Sequence, residues 1–391
     1  MFSISEMQRL MQPLPRDQFE TLVERHQTDR HSKGFRSWHQ LLVMLSAQWN
    51  GCTGLRHAVD HFNAHKNTHY HLGVGSREVK KSTLAEANAK RSPELFADVV
   101  KLLMSKVEGR AARKCRGLMY LLDSTSVTLK GREFDRWTMS NRTQHTQGVK
   151  LHLMLEKSSS APVWHSFTPA NVNDCKEALK APIEAQATYV FDKGYCDYNW
   201  WHSINERSAL FVTRFKSNAA LIVVKERKIP RTNGVQILGD QLVRFKNLRP
   251  RGGKVNSYDK PLRRIEVARK GKPALVLATN DLKSSAAAIA QMYKDRWEIE
   301  LFFKWIKQHL NVKRFFGRSE GAVRTQILIA LIAYLLLVLR KQASGAKQTL
   351  WELLREAGAT LFIRRDNQNE LYRRRRERAE AFAALQPPLF T

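Results

Sequence analysis

The stretch Ser284–Leu310, SSAAAIAQMYKDRWEIELFFKWIKQHL, decides how the rest of the chain is read. Two serines suited to an N-cap open it, good helix formers follow, and Pro and Gly are absent, so it predicts one continuous helix. At about 100° per residue, Tyr293, Arg296, Glu300 and Lys307 fall within about 60° of one another. Met292, Ile299, Phe302, Trp305 and Ile306 project from the other side as a broad apolar stripe. One face is therefore buried, and the other aligns a phenol, a guanidinium, a carboxylate and an ammonium. A surface helix with merely solvated charges gives a similar alternation. The spacing Tyr-x2-Arg-x3-Glu-x6-Lys, together with two aspartates upstream, argues for a site.

Those aspartates interrupt apolar strands. GLMYLLDSTSVTL (117–129) reads as a buried strand broken by Asp123, and ATYVFDKGYCDYNWW (187–201) begins with another that ends at Asp192. Aspartate is a poor strand residue and needs a reason to be there. A strand-end turn or a satisfied buried carboxylate is one reason; a metal ligand is the sharper one. Both are expected near the C-terminal ends of their strands, where open α/β sheets place their sites, with Gly194 letting the chain turn. Asp123, Asp192 and Glu300 form a three-carboxylate set of the kind that hard cations such as Mg2+ take. Two such ions can activate a water or a 3′-hydroxyl and stabilise the leaving oxygen of a phosphodiester.

Composition supplies the substrate. The 391 residues, 43% hydrophobic, suggest a soluble protein of two or three domains, and the formal net charge is +30. Lys and Arg outnumber Asp and Glu by 18 to 11 in residues 1–115, 37 to 19 in 116–339 and 11 to 6 in 340–391. The excess lies mainly in the middle, so a polyanion meeting much of the surface is expected, with nucleic acid the leading candidate. No lipidation signal supports an anionic membrane. The N-terminus lacks the apolar core of a signal peptide, and the apolar run Ile327–Leu339 reads as too short to span a bilayer. The segment around it, Gly321–Lys341, is expected as a buried helix behind the catalytic sheet. Cys52, Cys115, Cys175 and Cys196 lie far apart without a C-x2-C pair, against a zinc site or a disulfide framework and in keeping with a reducing cytoplasm.

Residues 1–115 read as mostly helical. Helices are expected over Arg36–Trp49, about Thr53–Asn63, from Ser82 or Thr83 (as N-cap, with Glu86 completing a capping box), and after Pro93. Lys80, Lys81, Lys90 and Arg91 suit phosphate contact, and a helix-turn-helix-like DNA-binding unit is one reading; a bundle with a basic rim is the other. Between Asp192 and Glu300, ALFVTRFKSNAALIVV leads outward as a strand and PALVLATNDL returns. The intervening strands and the basic turn RPRGGK form a β-rich insertion at about 217–275, which either holds DNA or decorates the surface. The tail 344–391 is expected to be helical and basic, with Arg373–Arg376 consecutive.

Tyr293, Arg296, Glu300 and Lys307 match the YREK signature of bacterial insertion-sequence transposases with a DDE triad, the insertion-sequence-four group. LLDSTSV resembles that family's first-aspartate region, DKGY (Asp192–Tyr195) its second, and FVTRFKSN (Phe211–Asn218) the stretch that follows. The resemblance covers about 116–340. It implies a ribonuclease-H-like α/β catalytic domain at 116–343 with a β-rich insertion before the Glu-bearing helix, preceded by a helical N-terminal domain. It also implies cut-and-paste transposition in the bacterial cytoplasm, at the nucleoid. Asp123, Asp192 and Glu300 would bind two Mg2+ ions, with Mn2+ as a substitute. A 3′-hydroxyl freed at the terminal inverted repeats would attack target DNA, with a hairpin intermediate and a homodimer pairing the two ends. Tyr293, Arg296 and Lys307 would grip terminal phosphates. Trp297 would either stack on an unpaired base or belong to the core. A non-transposing nuclease on the same fold, or a catalytically silent DNA-binding descendant, are the competing readings; all six residues of the triad and the YREK signature are intact, which argues against decay.

Overall fold

The structure is a computed structural model that describes residues 4–111, 117–129, 131–134, 137–138, 147–229, 235–248, 255–312 and 314–363. Six helices come first: α1 (Glu6–Met11), α2 (Arg16–His26), α3 (Ser37–Trp49), α4 (Leu55–Ala64), α5 (Lys81–Lys90) and α6 (Glu94–Ala111). Then follow β1 (Met119–Thr128), β2 (Gly148–Glu156), β3 (Ala161–Pro169), α7 (Asp174–Ala178), β4 (Thr188–Phe191), α8 (Tyr198–Glu206) and β5 (Leu210–Arg214). Four more strands, β6 (Leu221–Glu226), β7 (Ile237–Phe245), β8 (Leu262–Arg269) and β9 (Lys272–Thr279), lead to α9 (Ala286–Asp295), α10 (Trp297–His309), α11 (Glu320–Ser344) and α12 (Leu350–Thr360).

Among the described residues, nine strands form one sheet in the order β3-β2-β1-β4-β5-β9-β8-β7-β6. The first three strands are an antiparallel meander, and β1, β4 and β5 run parallel to one another. A meander followed by parallel strands on the far side of β1 is the arrangement expected of a ribonuclease-H-like fold. The insertion is part of that sheet, because β9 pairs antiparallel with β5 and carries β8, β7 and β6 outward in turn. The expected single outward strand is two elements: β5 beside β4, and β6 at the outer edge, separated by a turn at Lys216–Ala219. Ile222, Val223 and Val224 are about half exposed on that edge, where a bulge between Val223 and Lys225 disrupts the ladder. The basic turn Arg249–Lys254 lies outside the described residues.

Strand alternation fixes which side of the sheet each residue serves. Tyr120, Leu122, Tyr189 and Phe191 pack into one cluster with Trp200 and Trp201 of α8. Asp123 and Asp192, one position further along, point to the opposite face. Cross-strand approach is tight at the far end of β1, where a Cβ on Gly148 would overlap the Val127 carbonyl oxygen.

The chain divides into two compact units, one of Met104–Gln308 with Arg318–Glu320, the other of Met1–Leu103, His309–Gly317 and Gly321–Thr391. The helix expected behind the catalytic sheet, α11, thus groups with the N-terminal helices. The reason is its all-round apolarity. Every residue from Ile327 to Leu339 is buried, so it needs partners on all sides, and the apolar helices of this unit provide them. At 25 residues it is longer than the apolar run suggested and by length and hydropathy could cross a membrane, yet 94% of its most apolar window is buried in the protein. Within the same unit α12 seats against the end of α3, where a Cβ on Gly358 would meet the Trp49 carbonyl oxygen at 2.7 Å. It opens with a capping box between Thr349 and Glu352. By contrast α5 begins one residue before the expected cap: Lys80 is its N-cap and makes no side-chain capping bond. Arg373–Arg376 and Cys115 lie outside the described residues; Cys52, Cys175 and Cys196 are free thiols.

Candidate active site

The register of β1 on β4 brings the two aspartates together. Leu122 is paired with Phe191, and the next residue on each strand is the aspartate. Asp123 is the fifth of ten residues in β1 rather than at its C-terminal end, because β1 runs past β4 to continue its ladder with β2. Asp192 follows β4 directly and caps a 3-10 turn, Lys193–Tyr195. That turn needs no left-handed residue, so Gly194 is not among the glycines with positive φ.

The carboxylates are held by cations of the same unit. Arg296 donates to Glu300 Oε1 at 2.6 Å and to Asp123 Oδ2 at 3.4 Å, spanning the two acids. Arg214, the last residue of β5, donates to Asp192 Oδ1 at 2.5 Å, and the Tyr293 hydroxyl donates to the same oxygen at 3.1 Å. Tyr293 is buried, and the guanidinium carbons of Arg214 and Arg296 lie over its ring, 5.9 and 5.7 Å from the centroid. Burial, then the charge of Asp192, push the phenol up to about 12, so it stays a neutral donor. Burial also raises Asp123 to about 6, despite a 2.8 Å bond from the Ser124 amide and the nearby guanidinium. At Asp192 burial is again the largest influence and acts upward, but the hydrogen bond from Arg214, the Lys193 amide and the charges of Arg214 and Arg296 together outweigh it, and the carboxyl lies below its usual range.

The expected continuous helix is interrupted at Arg296. α9 ends at Asp295, α10 begins at Trp297, and the Arg296 and Ile299 amides bond three residues back to Tyr293 and Arg296 carbonyls. This tightened turn lets the guanidinium reach both Glu300 and Asp123. Lys307, two turns further on, donates to the Ser126 carbonyl at 3.2 Å. Trp297 is 56% exposed, which removes the core reading of its ring. Among the described residues, no three His, Cys, Asp or Glu side chains stand close enough to enclose a metal ion. The donor chemistry nevertheless fits a hard cation: acidic oxygens on three elements, with positive charge already drawn between two of them. Arg214 had no assigned role in the sequence. An arginine closing a buried strand that follows the Asp192 strand was the available signal.

The N-terminal lysines are elsewhere, in the helical unit. Lys80, Lys81 and Lys90 are exposed, and Lys90 pairs with Glu86 at 2.6 Å. Arg91 is different: its side chain is 9% exposed and bonds Gln40, Ser32 and the Phe35 carbonyl, with Asp29 at 3.4 Å. Its guanidinium is a strut between α3, α5 and the 29–35 segment.

Residues 116–336 match a family model described as a transposase DDE domain, and residues 4–75 match one described as a domain of unknown function, DUF4372. A Sinorhizobium fredii protein named as the transposase y4zB is 39% identical over 285 residues, covering 72% of this chain and 78% of its own length. A Geobacillus stearothermophilus protein named as the transposase for insertion sequence element IS5377 is 27% identical, over 76% of this chain and 74% of its own. Among solved structures, the piggyBac transposase synaptic complex with hairpin DNA superposes with a TM-score of 0.50 at 10% identity, covering 99% of this chain and 83% of that one. At that identity the likeness is one of fold.

Proposed function

Because the chain belongs to the family of transposases with a DDE domain, enzymes that cut and join DNA strands, we propose that it moves an insertion sequence by cut-and-paste. The observation that carries this reading is the register setting Asp123 beside Asp192, with Arg296 joining Asp123 to Glu300. Divalent-metal dependence goes with the DDE domain; here Asp123, Asp192 and Glu300 would hold Mg2+, with Mn2+ as a substitute. When bound, such ions offset charge on the attacking and leaving oxygens of a phosphodiester.

The chain's own residues supply the rest. Arg214 and Tyr293 orient Asp192 through one shared oxygen. Arg296 keeps Asp123 and Glu300 close despite their mutual repulsion, and on DNA binding the same guanidinium, with Lys307, grips phosphates at the transposon end. Tyr293, protonated at neutral pH, becomes a neutral donor to a terminal phosphate when its single hydroxyl proton turns away from Asp192. The exposed ring of Trp297 stacks on a base unpaired at the end, in keeping with a hairpin intermediate. Lys81 and Lys90 contribute to holding double-stranded DNA, terminal inverted repeat or target, and Lys80 contacts DNA beside them. Two copies pair the two ends, and the enzyme works on the bacterial nucleoid.

Asp123→Asn, Asp192→Asn and Glu300→Gln each test the carboxylates. Cleavage of a duplex carrying the element's end should fall by about a thousandfold or more in Mg2+, while gel-shift affinity for that end persists. Wild-type cleavage by any one variant removes that residue from the metal set. A denaturing gel separates hairpin from open products.

A further inference from the structure

The helical unit contains a cleft of about 920 Å³ whose walls are the 26–35 segment, the 75–80 segment and α5. Arg30, Lys33, Arg77 and Lys80 line it, all exposed, and no carboxylate among the described residues pairs with any of them. The two acids in its wall are already neutralised by lysines: Glu78 by Lys66 at 2.7 Å and Glu86 by Lys90 at 2.6 Å. Phe35 and His39 add aromatic surface, their rings 5.9 Å apart, and His39 Nδ1 is buried without a hydrogen-bond partner. Arg91 also lines the cleft, its guanidinium carbon 5.6 Å from the Phe35 centroid and its hydrogen bonds already committed to Gln40, Ser32 and the Phe35 carbonyl.

A net positive cleft with unspent cations calls for a polyanion. Its volume lies within the roughly 300–1,000 Å³ of pockets that enclose a small organic ligand, a size that one or a few nucleotides can enter and the full width of a duplex cannot. Cations tracking a backbone beside aromatic faces are the equipment of single-strand recognition. We infer that this cleft binds an unpaired nucleic-acid strand, its phosphodiesters held by Arg30, Lys33, Arg77 and Lys80 and a base seated against Phe35. That the strand is DNA rests on the transposase reading; the cleft's preference for one strand over two does not.

The full-length protein and a fluorescent eight-nucleotide single-stranded DNA test this by anisotropy, with blunt duplex of the same sequence and a deoxynucleoside monophosphate as competitors. We expect the single strand to compete well, the duplex at least tenfold less well, and the monophosphate only at about a hundredfold higher concentration. Lys33→Glu/Arg77→Glu/Lys80→Glu should lower strand affinity at least tenfold and flatten its salt dependence by about two in slope. Lys33→Arg/Arg77→Lys/Lys80→Arg should keep it. Unchanged strand affinity in the charge-reversed protein, or duplex competing as well as strand, overturns the assignment. So does a monophosphate equal to the strand, which would mark a nucleotide pocket. Asp123→Asn should bind the strand like wild type, so unchanged strand binding in the charge-reversed cleft variant and survival of cleavage in Asp123→Asn are independent failures of the two readings.

Discussion

Arg296 is bonded to two of the three candidate carboxylates and so stands where a cation is wanted. Removing it leaves Asp123 and Glu300 facing one another with less compensation. In metal-free protein, Arg296→Gln should therefore lose about 1–3 kcal/mol of stability. Because the guanidinium also competes with any ion for those oxygens, added Mg2+ should raise the melting temperature of the variant more than that of the wild type. An equal rise in both proteins would show that Arg296 does not stand in for the cation. His69 makes a second, independent case. It is 1% exposed, stacked on Phe62 at 3.9 Å, and burial, then the charge of His65, lower its pKa to about 4. Between pH 6.5 and 4 the unfolded chain takes up a proton that the folded chain refuses, so its contribution is full above pH 6.5 and is lost as pH falls. From pH 7 to pH 5 this amounts to about 2 kcal/mol. His69→Phe keeps a ring and abolishes the titration; its melting temperature should fall less over that interval than the wild type's.

The inserted strands are tied to the site by one buried ion pair. Arg263 on β8 makes a two-pronged bond to Asp240 on β7 at 2.8 and 2.6 Å, both side chains 2% exposed, and donates onward to the Ser284 carbonyl just before α9. Asp240→Ala strands a buried guanidinium and should cost about 3–5 kcal/mol, whereas Asp240→Leu/Arg263→Met, which removes both charges, should recover most of it. Denaturant midpoints of the single and double variants decide this; equal losses would mean packing, not charge, dominates. The pair joins residues 23 apart in sequence, and that is why it was illegible beforehand. Elements themselves were readable because each carries its own period and stop signals: α3 ends at Asn50–Gly51, and β1 and β4 announced themselves by apolar runs. Their order was not. Nothing within ALFVTRFKSNAALIVV says that β5 and β6 lie four strand positions apart, nor does the apolarity of α11 say which apolar neighbours it meets. Arg214 escaped for the same reason: its meaning is its distance to Asp192, set by β4–β5 pairing. The YREK residues were legible because helical spacing alone aligns them, although the tightened turn at Arg296 was not.

At the scale of the whole molecule the governing quantity is the +30 net charge, most of its excess in residues 116–339. Many of these cations already serve the fold: Arg91, Arg214 and Arg263 are committed to protein partners. The charge available to DNA is therefore the exposed remainder, and its extent can be read thermodynamically. Each phosphate neutralised on duplex DNA releases condensed counterion, giving a slope of about −0.9 in log affinity against log salt. If six to ten phosphates are met, affinity for nonspecific duplex should fall by about 10³ to 10⁵ between 50 and 200 mM salt. A substrate bearing the transposon end should fall with a similar slope from a higher starting affinity, because the added specificity comes from base and shape contacts that release few counterions. Anisotropy titrations of the two substrates over that salt range measure both lines. A slope near −1 for duplex would mean that most of the excess cations never meet the backbone, and the +30 would then have to be explained by something other than nucleic acid.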